Sequence, residues 1–63
     1  MSSIDSHINV VTGLLNQISH CNTLVTGREL LPPAKNAIKA EARKIVDDAK
    51  GELDAIKQEI SNW

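Results

Sequence analysis

A ladder of seven positions at alternating four- and three-residue steps runs through the first third of the chain. Six of the seven residues are apolar, and the ladder consists of Ile4, Ile8, Val11, Leu15, Ile18, Asn22 and Val25. On an α-helix such positions share one face, which is the pattern by which one helix packs against another. The ladder therefore predicts a helix over about residues 3–25 whose apolar face meets a second helix.

A second apolar stripe occupies the last half of the chain, after a pair of prolines. Pro33 suits the first turn of a helix because no amide hydrogen is needed there, and the residues that follow are strong helix formers. We predict a second helix over about residues 33–61, joined to the first by a loop over about residues 26–32. The stripe of the second helix consists of Ile38, Ala42, Ile45, Ala49, Leu53, Ile56, Ile60 and Trp63.

The alternative for the first third of the chain is β-structure. Residues 9–13 and 23–27 each place β-branched residues before a glycine, as strands that end in turns do. Strict alternation of apolar and polar residues fails at Val10-Val11 and at Leu14-Leu15, whereas the ladder fits at six of its seven positions. Because periodicity is the stronger signal, we predict an all-α chain that folds as a helical hairpin.

The chain is short for a self-sufficient core. With 63 residues and a single cysteine it has no internal disulfide, and a folded chain of this size buries only about 60% of the surface that its unfolded form exposes. Its apolar residues are aliphatic, with no Phe, no Tyr and one Trp. Association is the remaining way to shield the two stripes, so we expect two copies to form a four-helix arrangement.

Charge is unevenly distributed along the second half of the chain. Residues 28–44 hold five basic and two acidic side chains, a net of +3, and residues 45–63 hold five acidic and two basic ones, a net of −3. This order opposes the helix dipole, which favours acids at the start of a helix. Two copies laid antiparallel would bring each basic half against the other acidic half, so the sequence predicts a two-fold symmetric homodimer.

Two residues of the stripes have alternative interpretations. Asn22 either lies buried in the seam between helices, where a polar pair would fix register or oligomer order, or turns to solvent as its helix ends. Trp63 either covers the apolar seam, anchors a partner or frays with the tail. In the second helix, Gly51 falls on the polar face, where it weakens the helix by about 1 kcal/mol.

The residue types that carry chemistry do not form a catalytic pattern. His7 and His20 are thirteen residues apart and Cys21 adjoins His20, so no two of them share a helix face at the spacing that a metal ion requires. The acidic residues of the second helix alternate with Lys and Arg at three- and four-residue steps, which is typical of a solvated, ion-paired face. We therefore expect no enzymatic activity, no cofactor and no metal.

Charge and hydropathy indicate a cytoplasmic protein that binds other proteins. The net charge is −1, apolar runs are far shorter than the roughly 20 residues that span a bilayer, and the start of the chain lacks the features of a signal peptide. Nucleic-acid binding is the runner-up, because Lys35, Lys39 and Arg43 share a helix face that could contact phosphates. The acidic end of the helix and the missing aromatics weigh against it.

In size, aliphatic helical composition and self-contained character, the chain resembles the small early-region accessory proteins of lambdoid bacteriophages. The resemblance implies a regulator of host or phage development, and no functional residue is carried over from it. We expect a small noncatalytic helical module that homodimerises and modulates a protein partner. A nucleic-acid regulator and a small subunit of a larger enzyme are the other two classes that the sequence leaves open.

Overall fold

The computed structural model describes residues 3–63, which form two α-helices. Helix α1 spans Ser3–Gly27 and helix α2 spans Pro32–Ser61, and no strand occurs in the part of the chain that is described. The prediction of an all-helical chain with two helices is confirmed, and the β alternative for the first third is wrong. α1 continues two residues beyond its predicted end at about residue 25, so the connection shortens to residues 28–31.

α2 begins directly at the first of the two prolines. Leu31 has an extended backbone, with φ −65° and ψ 148°, and Pro32 follows it at the first helical position. Proline disfavours helical backbone in the residue before it, which explains this boundary. Both prolines fit the first turn, where no amide hydrogen is needed. At this start of the helix, the amide of Lys35 donates a hydrogen bond to the carbonyl of Leu31 at 3.1 Å.

α1 accommodates residues that form helices poorly. It contains three threonines, and their hydroxyl groups each donate to the backbone carbonyl four residues earlier, over 2.9 Å for Thr12, 3.1 Å for Thr23 and 2.7 Å for Thr26. These bonds satisfy the hydroxyl groups within the helix itself, although they add little or nothing to helix stability. α1 therefore depends on its contact with α2.

The two helices lie side by side as an elongated rod. Its principal dimensions are 49 × 16 × 12 Å and its radius of gyration is 14.8 Å, whereas a compact chain of 63 residues would have a radius of gyration of about 11 Å. An isolated pair of helices has one line of contact and no enclosed interior. The fold is therefore a helical hairpin whose side chains pack along the line of contact between α1 and α2, which we call the seam. It is not a globule with an enclosed core.

Burial follows directly from this shape. Among residues 3–63 only Ile45, 4% exposed, and Ala49, 7% exposed, are buried, and both belong to α2. The seam is completed by side chains that are half-buried, with α1 contributing Ile4, His7, Val11, Leu14, Ile18, Cys21, Leu24 and Val25, and α2 contributing Ile38, Ala42, Glu52, Ala55, Ile56 and Glu59. Each helix thus covers only one side of its neighbour.

Candidate interaction surface

The seam of α1 coincides with the predicted ladder at four of its seven positions. Ile4, Val11, Ile18 and Val25 are half-buried as expected. The other three places in the seam belong to residues one step earlier, so that His7, Leu14 and Cys21 stand where the ladder suggested Ile8, Leu15 and Asn22. Two seven-residue patterns contain these four residues, and they differ by one step at the three positions in between. In the structure, the pattern that includes His7 faces α2.

The stripe of α2 divides in a similar way. Ile38, Ala42, Ile45, Ala49 and Ile56 lie in the seam, as their spacing predicted. Leu53 is 52% exposed and Ile60 is 47% exposed, and the seam positions before them are taken by the half-buried Glu52 and Glu59. Within one chain, therefore, part of each predicted stripe is left uncovered.

A polar pair joins the two helices. The Nδ1 atom of His7 is hydrogen-bonded to Oε2 of Glu52, across a separation of 45 residues in sequence. The two side chains are 30% and 29% exposed, so each is shielded by the seam without being sealed from water. The sequence pattern does not predict this pair, because it gives His7 no partner and places Glu52 among the solvated acidic residues of the second helix.

Five of the large apolar residues that are exposed within residues 3–63 lie on one side of the seam, which we call the apolar flank. Each member follows a seam position by one residue, and in an antiparallel pair such positions of both helices lie on the same side of the seam. Their exposed fractions are 40–55%, and the flank consists of Ile8, Leu15, Val46, Leu53 and Ile60. They repeat every seven residues on both helices, so the flank runs along the rod as a band.

The opposite flank has a different character. Each of its positions comes one residue before a seam residue. At the centre of the rod these positions are Gln17, Glu41 and Asp48. The large apolar side chain exposed on this side is Val10, which is 46% exposed. The hairpin therefore has one side that water solvates well and one side that water solvates poorly.

A groove lies on the side of the apolar flank, near the connection between the helices. Its volume is about 670 Å³, and its apolar lining comprises Ile18, Cys21, Val25, Ile38, Ala42 and Val46. Basic side chains dominate the rest of the lining: Lys35, Lys39, Arg43 and Lys50 stand against Asp47, with Asn22 on the α1 side. The three basic residues predicted to share a helix face thus lie together, beside an apolar floor.

The two residues with alternative interpretations are both exposed in the single chain. Asn22 is exposed on the wall of the groove, so it pairs with nothing in the seam of its own hairpin. Trp63 follows the end of α2 and is 87% exposed. Its amide donates to the carbonyl of Ile60 at 3.1 Å, which continues the hydrogen bonding of the last turn.

Other residue types of interest do not gather. Cys21 is half-buried in the seam and His20 is exposed beside it, and within residues 3–63 no three side chains of the kinds that hold metal ions come together. Neither of the two described helices contains a segment long and apolar enough to cross a membrane. Comparisons with protein-family models, curated proteins and solved structures return no match. The contrast between the flanks is therefore the basis for a functional proposal.

Proposed function

We propose that this chain is a small noncatalytic helical module that homodimerises and modulates a protein partner. The observation that supports the proposal most strongly is that the hairpin buries few residues and leaves an apolar flank exposed. In the part of the chain that the structure describes, two residues are buried, whereas five large apolar side chains are exposed along one side. Following the phage resemblance, we propose a host or phage regulatory protein as that partner and the cytoplasm as the place of action.

The amount of exposed surface supports association. The accessible area of the chain is 4933 Å², whereas a compact monomer of 6.9 kDa would expose about 4,000 Å². The excess of about 900 Å² is close to the roughly 800 Å² that each partner buries in an interface of standard size. A second hairpin laid on the first would bring the exposed area per chain into the range of ordinary folded proteins.

Sedimentation equilibrium of the full chain tests this proposal. At micromolar concentration and physiological salt, we expect a helical particle with twice the 6.9 kDa mass of the chain, in reversible exchange with less-structured monomer. Far-UV circular dichroism on the same samples reports whether the particle is helical. A helical particle of 6.9 kDa at every concentration would contradict the proposal.

Nucleic-acid binding is the second candidate, favoured by the basic side chains of the groove. Lys35, Lys39 and Arg43 lie together there, where they could contact successive phosphates. Fluorescence anisotropy of a labelled DNA duplex tests this, with Arg43→Gln as the variant and Lys44→Gln, which lies outside the groove lining, as the matched control. Under this function Arg43→Gln weakens binding more than Lys44→Gln does, and affinity that vanishes by about 0.1 M salt marks the contact as nonspecific.

A further inference from the structure

We propose that the apolar flank is the surface covered by a second copy of this chain, with the two hairpins antiparallel and their connecting loops at opposite ends. The inference rests on the proposed homodimer and adds the face and the orientation. It makes the two α2 helices neighbours across the two-fold axis, each running against the other. The opposite flank then remains exposed to solvent on the outside of a four-helix arrangement.

The choice of flank follows from where the exposed apolar side chains lie. Within residues 3–63 eight large apolar side chains are exposed, and five of them belong to the apolar flank. Of the other three, Val10 stands on the opposite flank, Leu31 in the connection and Trp63 at the chain end. The centre of the opposite flank carries Glu41 and Asp48, whose charges would lose their hydration in an interface.

The apolar flank also matches itself. Since His7 contacts Glu52, the residues that follow them, Ile8 and Leu53, stand at nearly the same height along the rod. One seven-residue repeat closer to the connection, Leu15 and Val46 form a second such level. A half-turn about an axis across the rod exchanges the two levels, so each apolar level of one copy meets an apolar level of the other.

Charge decides between the two possible orientations. With both loops at the same end, the basic halves of the two copies, each +3 over residues 28–44, would lie side by side. With the loops at opposite ends, each basic half lies beside residues 45–63 of the other copy, whose net charge is −3. Asp48 lies on the opposite flank and the half-buried Glu52 and Glu59 lie in the seam, so Asp47 and Asp54 are the acids left to face the basic half. Like charges in an interface oppose association and opposite charges favour it, so the structure assigns the arrangement with opposite loops.

This orientation gives the groove an occupant. The groove lies near the connection of one copy, and its lining carries four basic side chains against one acidic side chain. In the antiparallel dimer the end of α2 from the other copy reaches this region, bringing its acidic residues and Trp63. A partly apolar, partly acidic helix end matches an apolar floor with a basic rim.

The first test compares two positions that are equally exposed in the single chain. Ile8 is 47% exposed on the apolar flank and Val10 is 46% exposed on the opposite flank, and both lie in the same two turns of α1. We expect Ile8→Asp to raise the dimer dissociation constant at least about tenfold, because it places a charge in the interface, and Val10→Asp to change it less than about threefold. Sedimentation equilibrium measures both constants.

The outcomes separate the flank from the homodimer. If the two variants weaken dimerisation equally, or if Val10→Asp weakens it more, the apolar flank is not the dimer interface. The proposal that the native chain forms a homodimer would still stand. A native chain that is a folded monomer would overturn both. If either aspartate variant does not fold, Ile8→Gln and Val10→Gln repeat the comparison without a charge, and the same ranking is required.

The second test measures orientation. A single nitroxide label is attached at Leu31→Cys in a Cys21→Ser chain, since Leu31 is 77% exposed and lies in the connection. Pulsed electron paramagnetic resonance then gives the distance between the two labels of a dimer. We expect a long distance, approaching the 49 Å length of the hairpin, and a distance near its 16 Å width would overturn the antiparallel arrangement.

Discussion

The two helices reach the same conformation by different means. α1 has no buried residue and contains threonines, asparagines and two glycines, all of which form helices less well than alanine. α2 holds both buried residues, starts with prolines in its first turn and continues with alanines, lysines and glutamates, which are strong helix formers. The comparison teaches that local preference stabilises α2, whereas α1 is helical because α2 and a second copy give it a surface to pack against.

The largest expected effect is on the isolated helices. A peptide of residues 32–63 should retain substantial helix at low temperature, and a peptide of residues 3–27 should be almost entirely disordered, because marginal helices of this length depend on propensity. Circular dichroism at 222 nm of dilute peptides measures this difference. Equal helicity of the two peptides would break the comparison between α1 and α2.

The next effect concerns the buried part of the seam. Ile45 is 4% exposed, so Ile45→Ala removes packing that nothing replaces and should lower the free energy of unfolding by about 2–5 kcal/mol. Val10→Ala is the matched control on α1, where the side chain is 46% exposed and the expected loss is below about 0.5 kcal/mol. Urea unfolding at fixed protein concentration measures both changes. Similar losses for the two variants would show that Ile45 is not the centre of the seam.

Two glycines allow a direct comparison of α1 with α2. An added Cβ at Gly13 or Gly51 would meet no atom within 4 Å, and both residues are exposed within their helices. Gly13→Ala and Gly51→Ala should each raise the free energy of unfolding by about 0.5–1 kcal/mol, because alanine is the better helix former. Urea unfolding curves compare the variants. A gain at Gly51 alone would indicate that α1 and α2 do not unfold together.

The smallest expected effect belongs to the polar pair that joins the helices. His7 and Glu52 are 30% and 29% exposed, and pairs accessible to water contribute about 0.2–1 kcal/mol. A double-mutant cycle with His7→Ala and Glu52→Ala should therefore give a coupling free energy in this range. The cycle needs unfolding free energies of the native chain, both single variants and the double variant. A coupling above about 3 kcal/mol would mean that the pair behaves as a buried ion pair.

The sequence was sufficient to predict that the chain forms two helices. The ladder and the second stripe indicated helices, and the prolines located the start of the second one to within one residue. The end of α1 was less well marked, because Thr26 and Gly27 resemble loop residues although the Thr26 hydroxyl donates to the carbonyl of Asn22 within the helix.

The phase of the seam could not be read from the sequence alone. Ile8 is more apolar than His7, Leu15 is equal to Leu14, and Asn22 is more polar than Cys21, so hydrophobicity did not exclude the phase of the ladder. The contact between His7 and Glu52 stabilises the other phase, and pairings across 45 residues leave no local signal. With this phase, Ile8, Leu15, Leu53 and Ile60 lie on the apolar flank. We predict that a second copy of the chain covers them there.

The dependence of the melting temperature on protein concentration tests the central claim most directly. If a second copy shields the apolar flank, folding is coupled to association, and the melting temperature must rise with concentration by mass action. Thermal unfolding followed at 222 nm over a hundredfold range of concentration should show a steady rise. A cooperative transition whose midpoint is the same at every concentration would mean that one hairpin is stable by itself, and it would contradict the account.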